Sequence, residues 1–362
     1  MNRIIIRVVW LAGFMGGLLL AAGCVKLHRV EYRLPRTALV PYAAAGIEDH
    51  SAEYGSQFCS VLRHMGAEGG PWGECADYIE TPGPPDLDLP PLPTEYRILV
   101  IPGIFGQCFS PKLQAFSDAL AHLREKHGLD AEYLDVPALG SCEYNADVIA
   151  RELRMRMEAD PRKFIVVGYS KGGCDVMVAL ATYPEVREAV AALVTVAAPV
   201  GGSRLPDIVP GYIQRFLEEH KLGPCEKGDS GGVESVRRAA RQSFLQEHPV
   251  PFVPTYSLVA ISDEATTTCA LKPFWRKLAS ISLDQDAQVI ASEGVPPGAR
   301  FLGSLKGDHW AIAMPFELRD DSVSRRLSDH NHFPRAALLE AAIRVVVADL
   351  QSSRGIDLLH KN

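Results

Sequence analysis

The feature that most limits the fold of this chain is an alternation of short apolar segments with longer segments of helical periodicity, starting at Tyr96. Residues 164–167 are continuously apolar, which is typical of a strand covered on both faces. Strand, helix, strand repeated in this way predicts an α/β fold with a mostly parallel central sheet and helices on both faces. The predicted strands are 96–103, 131–137, 164–170, 192–199, 254–261 and 299–305, and the predicted helices are 111–127, 144–158, 172–182 and 334–352.

The alternation breaks between residues 201 and 250, where charged helical segments occur without a strand. We expect this insertion to lie over the top of the sheet as a lid. Residues 24–95 are predicted to precede the main domain as an extension, irregular over 25–80 and followed by a Pro-rich linker over 81–94. The main domain is predicted to span 96–362.

The N-terminus has the order of a secretory signal, predicted over residues 1–23. Arg3 and Arg7 come first, an apolar stretch follows, and small residues precede Cys24. This ending resembles the bacterial lipoprotein cleavage site, which implies a lipid on Cys24 and attachment to the cell envelope. Ala21 stands where Leu is usual. A cleaved signal without lipid and an uncleaved anchor helix remain alternatives, and Val25 favours the outer membrane or periplasmic face over the inner membrane.

The chain has eight Cys, and seven remain for pairing if Cys24 carries a lipid. An exported chain meets an oxidising compartment, which favours disulfides and leaves one Cys free. Cys174 is expected to be a buried small apolar residue. No Cys or His spacing resembles a zinc site, and a net charge of −7 without a long basic run gives no indication of nucleic-acid binding. The expected pairs are Cys59–Cys75, Cys108–Cys142 and Cys225–Cys269.

The strongest chemical signal is Gly168-Tyr169-Ser170-Lys171-Gly172, between a predicted buried strand and a predicted helix. A sharp strand-to-helix turn exposes the Ser170 hydroxyl, and glycines two residues away on either side remove side chains that would collide. The turn also aims the first amides of the next helix at the hydroxyl, where they stabilise negative charge. Ser170 is therefore predicted to be a nucleophile.

An acyl-transfer site also needs two N–H donors for the developing oxyanion. We expect them to be the amides of Lys171, next to the nucleophile, and of Ile104, in the loop after the first core strand; the Lys171 side chain is given no role. His309 follows the last predicted strand and is the predicted general base. Asp308 is adjacent to it in sequence and is predicted to be structural.

The acid that orients His309 must follow a late strand. Three residues qualify: Asp263 directly after the strand 254–261, and Asp284 and Asp286 nearer to His309. The order of preference is Asp286, then Asp263, then Asp284.

Four segments in this order, PGIFG, GYSKGG, AAPVGGS and GDHW, resemble the α/β-hydrolases, and among them bacterial lipases and esterases. Two positions depart from the usual pattern. Pro102 stands where His is usual, and Val200 stands where His or Arg is usual. The Asp-Ala-Gln-Val segment from Asp286 resembles the Asp-Gly-x-Val that supplies the acid in lipase-like enzymes.

The resemblance covers about residues 96–350 and implies hydrolysis of an ester or lipid-like substrate through an acyl-enzyme on Ser170, without metal or organic cofactor. Two alternatives remain open: acyl transfer to an envelope acceptor, and a non-catalytic interaction module on a hydrolase scaffold.

Overall fold

The fold is built on a seven-stranded sheet, seen in a computed structural model that describes residues 46–359 except 69, 87, 105, 107–112, 210–225, 319–328 and 331. The order across the sheet is β1-β7-β6-β5-β4-β2-β3, and each pairing among the described strands is parallel. The strands are β1 (Glu48–Asp49), β2 (Arg97–Ile101), β3 (Ala131–Tyr133), β4 (Phe164–Tyr169), β5 (Val190–Val196), β6 (Thr255–Ile261) and β7 (Arg300–Lys306).

Helices cover both faces of this sheet, as the alternation predicts. One apolar core lies under α1, α2 and α10, and a second lies under α3, α4 and α5. The helices are α1 (Ser51–Ala67), α2 (Ser117–His127), α3 (Cys142–Ala159), α4 (Lys171–Thr182), α5 (Pro184–Ala189), α6 (Leu205–Ile208), α7 (Gly232–Ser235), α8 (Arg238–Glu247), α9 (Lys272–Leu278) and α10 (Arg335–Leu359). The expected mostly parallel sheet with helices on both faces is confirmed.

Strand β4 lies inside the sheet, between β2 and β5, and every residue of it is buried. Its continuous apolar run therefore meets a core on each side. Because parallel strands point the same way, the loops after β4, β6 and β7 all emerge at the carboxyl edge of the sheet, where ligands bind in open α/β sheets.

The prediction of an irregular extension over 25–80 is wrong for its second half. Helix α1 runs through 17 residues of it, and β1 adds an edge strand beside β7. Tyr54, Phe58 and Leu62 of α1 are buried and belong to the same core as α10. Their spacing of four residues is the helical signal that reveals α1. The signal peptide and Cys24 lie outside the described residues.

The described residues between β5 and β6 form three short helices, α6, α7 and α8, where the helical insertion over 201–250 is expected. Residues 210–225 of it lie outside the described part. Nowhere in the described ranges is a helix both long enough and apolar enough to pass through a bilayer.

Of the expected disulfides, Cys59–Cys75 is present, with the two Cα atoms 5.2 Å apart. The pairs Cys108–Cys142 and Cys225–Cys269 are wrong, because Cys142 and Cys269 are free thiols. Cys142 is buried at the start of α3, beside the charged side chains of α4. Its partner Cys108, like Cys225, is outside the described residues. Cys174 is fully buried, as expected, so three free Cys occur in the described ranges rather than one.

Phe58 tests whether α1 belongs to the core. Its ring is fully buried and lies 6.0 Å and 6.4 Å from the rings of Tyr54 and Tyr78. Phe58→Ala leaves a cavity and should lower the free energy of unfolding by about 3–5 kcal/mol. Arg63→Ala, at an exposed position of the same helix, should change it by less than about 0.5 kcal/mol. Equal effects of the two changes in urea unfolding would contradict the packing described for α1.

Candidate active site

Ser170 stands at a sharp turn between β4 and α4, with φ 53° and ψ −130°. A side chain at Gly168 would put Cβ 2.5 Å from the Gly173 Cα, and one at Gly172 would put it 2.3 Å from the Ile101 carbonyl oxygen. No Cβ fits at these distances, so glycine is required on both sides of Ser170. The close approach of the backbones explains the Gly-x-Ser-x-Gly spacing.

Ser170, His309 and Asp286 lie in a line at the carboxyl edge of the sheet. Ser170 Oγ is 2.9 Å from His309 Nε2, and His309 Nδ1 is 2.7 Å from Asp286 Oδ2. His309 and Asp286 are buried, and Ser170 is partly buried. An ionised carboxylate only accepts hydrogen bonds, so the proton of His309 is on Nδ1 and Nε2 accepts from the Ser170 hydroxyl.

The turn that presents Asp286 is closed by the aspartate itself. Its Oδ1 accepts hydrogen bonds from the amides of Gln288 (2.8 Å) and Val289 (2.7 Å), which leaves Oδ2 for the imidazole. The His309 amide donates to the Asp286 carbonyl oxygen at 2.8 Å, so main chain and side chain both join the two loops. Ala287 has φ 74°, a conformation that favours glycine.

The two alternative acids lie elsewhere. Asp263 is exposed and accepts from the Thr266 amide at 2.7 Å, a bond that lowers the pKa of its carboxyl group. Asp284 is also exposed. His309 therefore has Asp286 as its carboxylate partner.

Asp308 is structural, as expected from its position next to His309. Its fully buried carboxylate accepts from the amides of Thr268 (2.6 Å), Trp310 (2.9 Å) and Ala311 (2.9 Å). Burial raises the pKa of Asp308, although these hydrogen bonds oppose the shift. The bonds hold the loop that carries His309.

The loop after β2 lies directly against the serine. A Cβ at Gly103 would be 2.7 Å from Ser170 Cβ and 3.0 Å from Ser170 Oγ. Ile104, the expected second amide donor, is the next residue along this loop, and the Gly106 amide closes the turn on the Gly103 carbonyl at 3.1 Å. Lys171 is the first residue of α4, so its amide has no acceptor within that helix.

The Lys171 side chain was given no role from the sequence, but it forms a buried ion pair. Its Nζ donates to Asp175 Oδ1 at 2.5 Å, and Nδ2 of the Asn145 side chain donates to Asp175 Oδ2 at 2.8 Å. Burial alone lowers the pKa of Lys171, but the adjacent Asp175 carboxylate raises it overall, so the ammonium stays charged. The Lys–Asp spacing of four residues on one helix is the sequence signal for this pair.

Tyr169 contacts both the main chain and the ring of His309. Its hydroxyl donates to the His309 carbonyl oxygen at 2.6 Å, and the two rings lie 5.1 Å apart. Burial, together with the charges of Asp286 and Asp308, raises the pKa of Tyr169 well above its usual value. The phenol therefore stays protonated and keeps donating.

Comparison with solved structures found a carboxyl esterase of metagenomic origin. It is 30% identical to this chain, and the match covers 87% of this chain and 97% of the esterase with a TM-score of 0.80. The mature lipase of Bacillus licheniformis is 24% identical over 62% of this chain and 89% of the lipase (TM-score 0.48). Lipase 1 of Pelosinus fermentans is 13% identical over 72% and 99% (TM-score 0.46). No protein-family model and no curated protein sequence matches the chain.

Ala287→Gly should change the stability of the protein little, although it removes a fully buried methyl group. Left-handed backbone costs Ala roughly 1–2 kcal/mol, and relief of this strain offsets the loss of about 0.8 kcal/mol for the methyl group and of about 0.4–1 kcal/mol for the entropy that glycine adds to the unfolded chain. Ala299→Gly is the matched control, since Ala299 is also fully buried and has no positive φ. It should lose about 1–2 kcal/mol. Thermal unfolding of both variants checks this, and a loss of stability in Ala287→Gly as large as in the control would contradict the strain at Ala287.

Proposed function

The chain belongs to the α/β-hydrolase family, with carboxyl esterases and lipases as its structural neighbours, and from this premise we propose that it hydrolyses carboxylic esters through an acyl-enzyme on Ser170. The observation that carries the proposal is the 2.9 Å separation between Ser170 Oγ and His309 Nε2. This is the distance at which a base can take the proton of a hydroxyl.

In the first step, Ser170 Oγ attacks the ester carbonyl carbon while His309 Nε2 takes its proton. The imidazolium that forms lies 2.7 Å from Asp286, whose negative charge stabilises it. Because Asp286 Oδ1 is already held by two amides, the carboxylate keeps its orientation as the imidazole becomes charged.

The carbonyl oxygen gains negative charge in this step. We assign its stabilisation to the amides of Ile104 and Lys171, on the loop after β2 and at the start of α4. The close contact of Gly103 with Ser170 supports this assignment, because it brings the loop to the serine. The α4 dipole adds to it, since the oxyanion would form at the positive end of the helix.

The tetrahedral intermediate collapses when the protonated His309 gives its proton to the leaving alcohol. A water molecule then attacks the acyl-enzyme with His309 as the base, and the acid is released. No step needs a metal or organic cofactor. The substrate class is an ester or a lipid-like molecule, and we propose that the helical insertion between β5 and β6 forms the lid over it.

We also propose that the mature chain begins at Cys24 and is held at a bacterial cell envelope by a lipid on that residue. The support is the N-terminal order of basic, apolar and small residues. The disulfide Cys59–Cys75 is compatible with an oxidising compartment.

Ser170→Ala should reduce kcat for a chromogenic short-chain ester by about 10⁴-fold or more, because no other group supplies the nucleophile. The melting temperature should stay close to that of the parent protein. Ser280→Ala, at an exposed serine, is the matched control and should retain full turnover and labelling by a fluorophosphonate probe. Undiminished turnover or labelling in Ser170→Ala would overturn the mechanism.

Product analysis with added alcohol separates hydrolysis from acyl transfer. If more ester is formed from the added alcohol than acid is released, the result indicates acyl transfer.

Asp286→Asn should lower kcat by about 10⁴-fold, since an amide facing His309 Nδ1 favours the wrong tautomer. Asp284→Asn and Asp263→Asn make the same change at exposed carboxylates and should have little effect. Steady-state kinetics of the three variants compares them directly. Activity lost in Asp263→Asn or Asp284→Asn but kept in Asp286→Asn would move the acid role away from Asp286.

A further inference from the structure

A second group of chemically active side chains lies between α2 and α10 and shares no residue with the site at Ser170. It consists of His122, His127 and Glu340, and we call it the His–His–Glu cluster. One ligand atom from each residue lies within 4.8 Å of the others. His122 Nε2 is 2.7 Å and His127 Nε2 is 2.9 Å from the same atom, Glu340 Oε2. We propose that this cluster is a binding site for a zinc ion.

The donor set fits zinc. Zinc takes imidazole nitrogen at about 2.0–2.1 Å and carboxylate oxygen at about 2.0–2.2 Å, and sites with three protein ligands leave one position for water. Atoms bound to one ion at angles of about 90–110° are roughly 3.0–3.4 Å apart, so each histidine nitrogen has to move away from Glu340 Oε2 by up to about half an ångström. Calcium and magnesium prefer oxygen ligands, and two imidazoles disfavour them.

The orientation of His127 favours an ion over a simple hydrogen bond. Its Nε2 is buried and makes no hydrogen bond, although Glu340 Oε2 is only 2.9 Å away, while the His122 contact has hydrogen-bond geometry. The His127 nitrogen therefore does not point along the line to the carboxylate. An ion bound by two ligand atoms does not lie on the line that joins them. The direction from each ligand atom to the ion differs from that line by about 35–45° when the ligand–metal–ligand angle is 90–110°.

The surroundings of Glu340 suit a metal ligand. Its side chain is only 4% exposed, and Arg344 holds the other oxygen, Oε1, with Nε at 2.8 Å and Nη2 at 2.7 Å. Such outer partners orient metal ligands. His122 and His127 are 18% and 10% exposed at their side chains, so the cluster lies close to the protein surface.

Zinc binding is tested on the full-length chain, purified in a mild detergent, stripped with EDTA and treated with N-ethylmaleimide to block accessible thiols such as Cys269. ZnCl₂ is titrated by calorimetry, and thermal unfolding is followed with and without zinc. One equivalent should bind. At a hundredfold excess over Kd, the melting temperature should rise by about 5 °C, because the ion binds the folded chain.

His122→Gln and His127→Gln should each weaken zinc binding at least tenfold and abolish the rise in melting temperature. Both side chains are partly exposed, and melting temperatures in EDTA check that the variants fold. His330→Gln, at an exposed histidine, is the matched control and should bind like the parent protein. The absence of a stoichiometric site in the parent protein would overturn the proposal, and so would unchanged binding in both His122→Gln and His127→Gln.

Discussion

The turn at Ser170 requires backbone segments to approach more closely than any side chain permits. Gly168 meets the start of α4, and Gly172 meets the end of β2. Gly103 in turn lies against the serine. Because β4 is hydrogen-bonded on both sides and fully buried, its end cannot shift to relieve the φ of 53° at Ser170. Strain of this kind costs about 1–3 kcal/mol and persists only where surrounding packing overdetermines it. The sheet therefore fixes the position of the hydroxyl, and the chemistry proposed for this chain depends on that rigidity.

The other half of the candidate site depends on how two aspartates share their oxygens between the backbone and His309. Asp308 uses both oxygens on backbone amides and only holds its loop. Asp286 uses one oxygen on two amides and keeps the other for the imidazole. Two buried carboxylates close to one histidine thus have different tasks, set by the number of amides that each accepts. Tyr169 adds a third tie, because its hydroxyl holds the carbonyl of His309 itself.

Features with local causes could be predicted from the sequence. The glycine spacing around Ser170 and the apolar run before it depend on neighbours in the chain, and the strand order along the sequence follows from the same alternation. The choice among three aspartates could not be settled by local pattern alone, since it depends on which loop meets His309 across 23 residues. Helix α1 is not part of the sequence prediction, although Tyr54, Phe58 and Leu62 repeat every four residues on one apolar face. The buried, charged surroundings of the Cys142 thiol could not be foreseen, since Lys171 and Asp175 beside it belong to another helix. The expectation of no zinc site rested on spacing along the chain, whereas Glu340 is 218 residues from His122.

Helix α2 connects the candidate active site with the His–His–Glu cluster. It begins after Phe116, a buried residue with φ 60° whose ring contacts Tyr169 edge-on at 5.9 Å. The Phe116 amide donates at 2.7 Å to the carbonyl of Ala313, four residues after His309. Near the same end, Asp118 pairs with the buried Arg335 at the start of α10. The two helices are therefore joined at the end that lies beside the His309 loop, and the His–His–Glu cluster joins them again farther along. An ion in that cluster would add a further tie between α2 and α10, in the same helical layer that packs Phe116 against Tyr169.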